Sequence, residues 1–169
     1  MSKNSGKRDI LIFPKFNNID KIQEIRNKYD KLANLIPPHI TLAFPFFDKI
    51  SNEELIDKLS YLLKNFFPFD IIFSGLSLSD DNYIFLKCIK GRENLIYLHD
   101  EIYKKILSSH FNDSITYVPH ITLGQASSID ELNGFNYTFS TFVDEISIEL
   151  IGENDESIII KNIELGKNF

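Results

Sequence analysis

The sequence predicts one domain that mixes helices and strands and contains a β-α-β-α-β unit twice. The pentapeptide Pro-His-Ile-Thr-Leu occurs at 38–42 and again at 119–123, and such an internal repeat indicates a duplicated unit. Helix and strand periodicities follow each other in the same order around both copies. No linker rich in glycine and serine separates the halves. We therefore expect a single domain over 1–169, with lobes at about 9–80 and 82–166.

The first half predicts a strand, a helix, the first pentapeptide strand, a second helix and a further strand. Apolar residues at steps of three and four indicate both helices. Pro37 and Pro38 end the first helix, because a residue before proline avoids the helical region. Ser51 and Glu54 form a capping box at the start of the second helix. The expected bounds are 9–16, 18–35, 39–44, 51–67 and 69–78.

The second half repeats this order and adds a C-terminal strand. Asp80, Asp81 and Asn82 predict a tight turn, which joins the two halves through a hairpin. Ser128 and Glu131 indicate the start of a short helix. The expected elements are a strand at 83–89, a helix at 91–111, the second pentapeptide strand after 118, a short helix at 127–132, and β-rich segments at 137–151 and 157–165.

Each pentapeptide predicts a half-buried strand with one polar and one apolar face, because alternate side chains of a strand lie on opposite faces. The polar faces would carry His39, Thr41 and Ala43 in the first copy, and His120, Thr122 and Gly124 in the second. The apolar faces would carry Ile40, Leu42 and Phe44, and Ile121 and Leu123. The third polar-face position is small in both copies, so we expect space for a ligand there.

The composition, with 43% hydrophobic and 25% charged residues, is that of a globular protein. The net charge of −6 argues against binding long nucleic acid through its phosphates, but it permits a small phosphorylated ligand or an RNA end. The N-terminus at 1–8 is polar, and no apolar run approaches the roughly 18 residues that cross a bilayer. Cys88, the single cysteine, cannot form an intrachain disulfide and is expected to be buried. These features predict a cytoplasmic protein.

The two pentapeptide histidines have the chemistry for acid–base catalysis on a phosphodiester. Because histidine titrates near ~6.5, one imidazole can accept a proton while the other donates one. His39 and His120 are therefore the candidate catalytic residues. The hydroxyls of Thr41 and Thr122 can donate hydrogen bonds to the non-bridging oxygens of the phosphate, as substrate-binding residues. Which histidine acts as the base is left open.

Other interpretations of the histidines compete with catalysis. His39 and His120 could both be structural, with the threonines present for their β propensity, but identical copies at matching positions argue against this. A metal site is a weaker interpretation, because the sequence has no His-x-His, no His-Glu-x-x-His and no cysteine pair. His99 and His110 lie in one predicted helix, close to the same face, and we expect both to be structural.

With these motifs the chain resembles the two-histidine (2H) phosphoesterase superfamily, whose signature is one His-x-Thr/Ser motif in each lobe. The segments 35–42 and 118–125 look closest to the YjcG-type branch from Gram-positive bacteria, and the resemblance runs over nearly the whole chain. It implies a bilobal α+β fold with two facing, mostly antiparallel sheets and helices on the outside. It also implies metal-independent chemistry on 2′,3′-cyclic phosphodiesters or 2′-5′ linked RNA ends.

The resulting hypothesis is a cyclic phosphodiesterase, a hydrolase similar to the 2′-5′ RNA ligases, that uses no metal and no cofactor. Its ligand would be a small nucleotide or an RNA end with a cyclic phosphate. We expect neither DNA nor a membrane as a partner, and a monomeric protein. The alternatives are a binding module that holds the same ligand without turnover, and a metal hydrolase. RNA-processing relatives often carry a basic residue just after a motif, whereas this chain has Ala43 and Gly124-Gln125 there.

Overall fold

The computed structural model describes residues 6–166, so the expectation for the polar segment at 1–5 lies outside the described residues. Eight strands and three α-helices form within this range, and two short 3-10 turns accompany them. The strands are β1 Lys7–Ile12, β2 Ile40–Phe47, β3 Phe69–Leu78, β4 Tyr83–Lys90, β5 His120–Gln125, β6 Thr138–Val143, β7 Glu145–Ile151 and β8 Ser157–Glu164. The helices are α1 Asp20–Tyr29, α2 Asn52–Leu63 and α3 Arg92–Lys105, and the 3-10 turns are Ser108–His110 and Ile129–Leu132.

The strands form one curled sheet in the order β6-β3-β4-β5-β2-β1-β7-β8, and every pair is antiparallel. The two central strands, β5 and β2, meet at a single register pair, Ile121 with Ile40. The two expected sheets are therefore two four-stranded halves that join at this pair. The expected α+β fold with antiparallel strands is confirmed.

Each half of the sheet contains strands from both halves of the chain. β3, which precedes residue 81, pairs with β4 and β6 beside the second pentapeptide strand. β7 and β8, which come near the end of the chain, extend the other half beyond β1. The two halves of the sheet therefore do not correspond to the sequence ranges 9–80 and 82–166. β3, from the first range, lies in the half that contains β5, whereas β7 and β8, from the second range, lie in the half that contains β2.

The apolar faces of the pentapeptide strands lie in the main core. Ile40, Leu42, Ile121 and Leu123 are all fully buried, as expected. The expectation that Phe44 also lies on the apolar face is wrong, since its side chain is 38% exposed, because a register shift between Thr41 and Ala43 changes the alternation. Helix α1 lies against β5, α3 against β2 and α2 against β8. The Ser51 hydroxyl accepts a hydrogen bond of 3.1 Å from the Glu54 backbone N–H, which confirms the predicted cap of α2. None of the helices in residues 6–166 has the length and apolar character needed to cross a membrane.

All three helices end earlier than the apolar periodicity predicts, and α2, which was expected to reach residue 67, ends at Leu63. Helix α1 ends at Tyr29 because Asp30 accepts hydrogen bonds from the Leu32 backbone N–H at 2.9 Å and from the Arg26 side chain at 2.9 Å. These bonds turn the chain, and the remaining apolar residues lie in turns. Helix α3 ends at Lys105, and His110 falls in the following 3-10 turn.

The expectation that His99 and His110 share one helix face is therefore wrong. His99 is buried in α3, where its ring stacks on Tyr117 with centroids 4.0 Å apart. The Tyr117 hydroxyl in turn donates to the backbone carbonyl of Thr41 at 2.8 Å. The Nε2 atom of His110 lies 2.6 Å from a carboxylate oxygen of Asp48. The two histidines thus lie in different elements with different partners, and their structural role stays a prediction.

Candidate active site

A β-bulge occurs at the same place in both pentapeptide strands. In β2 the extra residue is Leu42, and in β5 it is Leu123. The flanking register pairs are Ile10 with Ala43 and Leu11 with Thr41 in one half, and Ile84 with Gly124 and Phe85 with Thr122 in the other. A bulge sets two residues against one and changes the direction of the side chains that follow. The duplication therefore extends to an irregularity of the backbone.

The bulges overturn the expectation that Ala43 and Gly124 leave space for a ligand. Ala43 is fully buried within the same core cluster as Leu42. A Cβ atom placed on Gly124 would overlap the backbone carbonyl of Tyr29, at the end of α1. The small residues therefore allow the core and a helix to approach the strands closely.

The four candidate residues form one polar patch, which we call the His–Thr patch: His39, Thr41, His120 and Thr122. All four are half-buried, whereas the residues that alternate with them are fully buried. The pair Ile40–Ile121 sets the register, so His39 lies across from Thr122 and Thr41 lies across from His120. Directly opposite Cβ atoms are about 4.5–5.5 Å apart in such pairs, and diagonal neighbours about 7–8 Å.

The two imidazoles are held in the same way. The Nδ1 atom of His39 lies 2.8 Å from the carbonyl oxygen of Pro37, and that of His120 lies 2.7 Å from the carbonyl oxygen of Val118. A carbonyl oxygen only accepts, so Nδ1 carries the proton in both neutral rings. The Nε2 atoms are consequently left with a lone pair and can accept a proton.

Burial lowers the pKa of both histidines below the ordinary value of 6.5, because a charged ring loses hydration. At each ring the backbone carbonyl bond opposes this shift. At His39 the positive charge of Arg26 lowers the pKa further, while Asp30 raises it. A charge on His120 also lowers the pKa of His39. The two rings therefore interact, and a first proton disfavours a second.

A buried ion pair anchors the segment that leads from α1 to His39. The side chain of Arg26 is fully buried, and its Nε donates to Asp30 at 2.9 Å. Its other nitrogens donate to the Gln23 side chain at 3.0 Å and to the Leu32 carbonyl at 3.4 Å. Residues on both sides of the α1 terminus are thus tied to one guanidinium group, which fixes the direction in which the chain approaches β2.

The aromatic and basic neighbours of the patch could not be read from the motifs. The ring of Phe85 lies 3.9 Å from that of His120, with the planes inclined by 32°. The ring of Phe13 lies 6.4 Å from that of His39 in an edge-on contact. Lys87 is the register partner of His120 on β4. The alternation of β4 was visible in the sequence, but its place beside β5 was not.

The described residues do not bring together a set of metal ligands. No group of three or more His, Cys, Asp or Glu side chains within 6–166 converges in a way that could hold an ion. A cavity of about 440 Å³ at the far end of β2 is lined mainly by aromatic side chains, with His99 and His110 among its lining residues, and it does not include His39 or His120. Within the described residues, no cluster of metal ligands therefore accompanies the imidazoles and hydroxyls of the His–Thr patch.

Residues 14–148 match the sequence profile of the 2′-5′ RNA ligase superfamily. The chain belongs to this superfamily. It is 29% identical to a protein of Oceanobacillus iheyensis that is named as a phosphoesterase, over 96% of this chain and 99% of that one. A Bacillus licheniformis protein with a similar name is 32% identical over 74% of each chain. The chain is thus a phosphoesterase of the 2′-5′ RNA ligase superfamily, and the resemblance to the 2H phosphoesterases is confirmed.

Two solved structures share the fold of this chain. E. coli LigT in complex with 3′-AMP is 21% identical and has a TM-score of 0.67, covering 96% of this chain and 99% of its own. The protein TT0787 of Thermus thermophilus is 14% identical, with a TM-score of 0.66 over 96% of this chain and 100% of its own. At these identities the likeness concerns the arrangement of helices and strands.

Proposed function

We propose that this phosphoesterase opens 2′,3′-cyclic phosphodiesters, or cleaves 2′-5′ linkages, at nucleotide or RNA ends. His39 and His120 form the acid–base pair, and Thr41 and Thr122 bind the phosphate. The observation that carries the proposal is the register at Ile40–Ile121, which sets one histidine across from one threonine on each side. A phosphate above the patch then has a proton acceptor and a proton donor on opposite flanks.

The geometry of the patch matches the demands of the reaction. An in-line displacement at phosphorus needs a base at the attacking oxygen and an acid at the leaving oxygen, on opposite sides. His39 and His120 are diagonal neighbours, so each can serve one side. The threonine hydroxyls lie on the other diagonal and can donate to the two non-bridging oxygens, where negative charge is stabilised.

The protonation of the pair supports acid–base exchange. Both Nδ1 protons are held by backbone carbonyls, so protons move only at the Nε2 atoms. Because a charge on one ring disfavours a charge on the other, the pair holds a single proton over part of the pH range. One ring then acts as the base and takes a proton from the attacking water, and the other acts as the acid and gives its proton to the leaving oxygen. After one turnover the proton is on the opposite ring, and exchange with solvent water restores the starting state.

A nucleotide substrate is supported by the structural relatives. E. coli LigT has been crystallised with 3′-AMP and with ATP, which are both nucleotides. The net charge of −6 favours a small ligand or a chain end over a long nucleic acid. No third metal ligand lies beside the histidines within the described residues, so they are free to exchange protons.

The test is a substrate panel with 2′,3′-cyclic mononucleotides, oligonucleotides ending in a cyclic phosphate, and 2′-5′ linked dinucleotides. We expect turnover of at least one class in excess EDTA, and its loss in His39→Ala and His120→Ala. Binding without turnover in the wild type would replace the proposal with the binding module. Loss of activity on chelation, restored by one metal, would favour a metal hydrolase.

A further inference from the structure

The exposed face of strand β4 continues the His–Thr patch sideways. We call this face the β4 platform and define it by Tyr83, Phe85 and Lys87. These side chains alternate with Ile84, Leu86 and Cys88, which are buried. The platform residues are register partners of the β5 residues Gln125, Thr122 and His120, respectively. They therefore lie on the same face of the sheet as the patch.

The platform presents a row of rings that begins at the reaction site. The His120 and Phe85 rings are 3.9 Å apart, and the Phe85 and Tyr83 rings are nearly parallel, with centroids 6.4 Å apart and planes inclined by 7°. Tyr83 is 39% exposed and leaves part of its ring open to a ligand. Aromatic side chains in a row on a sheet face suit the stacking of nucleobases.

Lys87 provides a positive charge at the other end of the platform. Its stem crosses Gly75 of β3, where a Cβ atom would lie only 3.1 Å from Cε and 3.5 Å from Nζ. Among the ion pairs of residues 6–166, none involves Lys87, whereas Lys90 on the same strand lies 3.7 Å from Asp70. Its ammonium group is therefore available to an anion, on a flexible four-carbon stem.

The related half of the fold lacks this platform. The position equivalent to Phe85 is Leu11, which pairs with Thr41 and is fully buried. Phe13 follows β1 on the side of His39 and meets that ring edge-on. The acid–base pair has one histidine in each half of the sheet, whereas the platform occurs in only one half. A feature present in only one half suits the part of the substrate that extends to one side of the phosphate, which is the nucleoside.

A nucleoside 2′,3′-cyclic phosphate extends in two directions from its phosphate. The base is attached to C1′, beside C2′, and the 5′ oxygen is carried through C4′, beside C3′. The base and the 5′ substituent therefore leave the cyclic phosphate on opposite flanks. Tyr83 and Lys87 likewise lie on opposite sides of Phe85 along β4.

We propose that the β4 platform binds the terminal nucleotide of an RNA chain, with its base on the Tyr83–Phe85 side and its 5′-phosphate on Lys87. The inference rests on the proposed function in one respect, namely that the 2′,3′ phosphate occupies the His–Thr patch. It specifies the substrate as an RNA end, in which a 5′-phosphate is present, in preference to a free cyclic mononucleotide. Lys87 thus supplies from the neighbouring strand a cation that the motifs themselves lack.

The acidic turn at Asp80 and Asp81 joins β3 to β4 beyond Tyr83, at the end of the platform opposite Lys87. These carboxylates would repel a phosphate from the base side and favour its binding at Lys87. The platform offers two rings and one cation, so the gain in affinity should be complete once one 5′-phosphate is present. Additional nucleotides should add little.

The first test measures binding, which does not require turnover. The affinity for adenosine 3′,5′-bisphosphate is compared with that for adenosine 3′-monophosphate by calorimetry. We expect the 5′-phosphate to raise affinity about five- to tenfold, as a charge-assisted contact at an exposed site does. In Lys87→Met the ratio should fall to about one, while the matched control Lys90→Met should keep the wild-type ratio. A ratio near one in the wild type, or an unchanged ratio in Lys87→Met, would overturn the inference.

The second test uses the reaction and separates the two proposals. The kcat/KM for a cyclic mononucleotide is compared with those for a dinucleotide and a tetranucleotide ending in a cyclic phosphate. We expect kcat/KM to be higher for the dinucleotide than for the cyclic mononucleotide, and nearly the same for the dinucleotide and the tetranucleotide. Tyr83→Leu should lower kcat/KM for all three substrates. Equal values for all three would refute the platform while leaving the proposed function intact. If none is turned over, the proposed function fails and the binding ratio alone decides the inference.

Discussion

Phe85 of β4 covers one side of the His120 imidazole, with ring centroids 3.9 Å apart. Burial is the largest cause of the lowered pKa of His120, and this ring contributes to the burial. In Phe85→Leu we therefore expect the pKa of His120 to rise toward 6.5, measured by NMR titration of the imidazole protons. Phe13→Leu is the matched control, because its contact with His39 is looser at 6.4 Å and its effect should be smaller. An unchanged or lower His120 pKa in Phe85→Leu would contradict this.

Removal of either histidine of the proposed acid–base pair should lower kcat by about 10²–10⁴-fold, the usual contribution of one general acid or base. The variants are His39→Ala and His120→Ala, assayed on the best substrate of the panel. The double variant should lose much less than the product of the two, because the pair acts as one unit. Thr41→Val and Thr122→Val should cost about 10–10³-fold.

His110→Gln is the control for the histidine variants, since its ring pairs with Asp48 away from the patch. It should keep the wild-type rate per folded molecule. Full activity in both pentapeptide variants would refute the assignment of His39 and His120 as the catalytic pair.

The pH profile of kcat/KM should be bell-shaped and centred below pH 6.5. Both histidines have a lowered pKa in the free enzyme, chiefly through burial, so both limbs of the profile move toward acid. Activity should therefore decline from pH 6.5 to pH 8, as the last shared proton is lost. The profile is measured from initial rates at constant ionic strength, and a maximum above pH 7.5 would be incompatible with the pair as described.

Asp9 should make the protein less stable as the pH rises. Asp9 and its register partner Glu149 are both almost fully buried, and burial together with the Glu149 charge raises the pKa of Asp9 to about 9. An unfolded aspartate titrates near ~3.9, so at neutral pH the folded state binds one more proton than the unfolded state. The free energy of unfolding should then fall by up to about 1.4 kcal/mol between pH 7 and pH 8.

The measurement is urea unfolding at these two pH values. The histidines of the patch change the stability in the opposite direction and by much less, because an unfolded histidine with a pKa near ~6.5 is already mostly neutral at pH 7. Asp9→Asn removes the titrating group and keeps its shape, so its stability should be nearly the same at both. Equal wild-type stability at pH 7 and pH 8 would show that Asp9 is ionised in the folded protein.

Gly124→Ala should destabilise the fold by more than Gly134→Ala. Both glycines have positive φ angles, of 134° and 93°, which strain any other residue. A Cβ on Gly124 would also overlap the Tyr29 carbonyl, whereas one on Gly134 would meet no atom within 4 Å. The overlap should add about 1–3 kcal/mol, measured by thermal unfolding. Equal losses in the two variants would mean that α1 moves away from β5 at little cost.

The equivalent positions of His39 and His120 on neighbouring strands were predictable, because identical motifs in matching places of a repeat indicate equivalent positions in the fold. Strand alternation then predicted correctly that Ile40 and Ile121 would be buried behind them. The places of Ala43 and Gly124 were not predictable in this way. They depend on a bulge, and a bulge is defined only against the neighbouring strand, whose register is not encoded locally.

The neighbours of the patch were hidden for a related reason. Phe85 and Lys87 were recognisable as one face of a strand, but which strand β4 pairs with is a property of the whole topology. The place of His110 also depends on a residue outside the helix, since its ring contacts Asp48 in a distant connection. Local periodicity could not show this contact, because the two residues are 62 positions apart in the chain.

The crossing of strands between the halves of the sheet has a consequence for how the cleft is assembled. If the chain were cut in the turn between β3 and β4, the first fragment would keep β3 without β4 and β6, and the second would keep β7 without β1. Each fragment would carry unpaired strand edges that only the other fragment can cover. We therefore expect each fragment to be inactive alone and the active site to form only when the two fragments associate as a heterodimer.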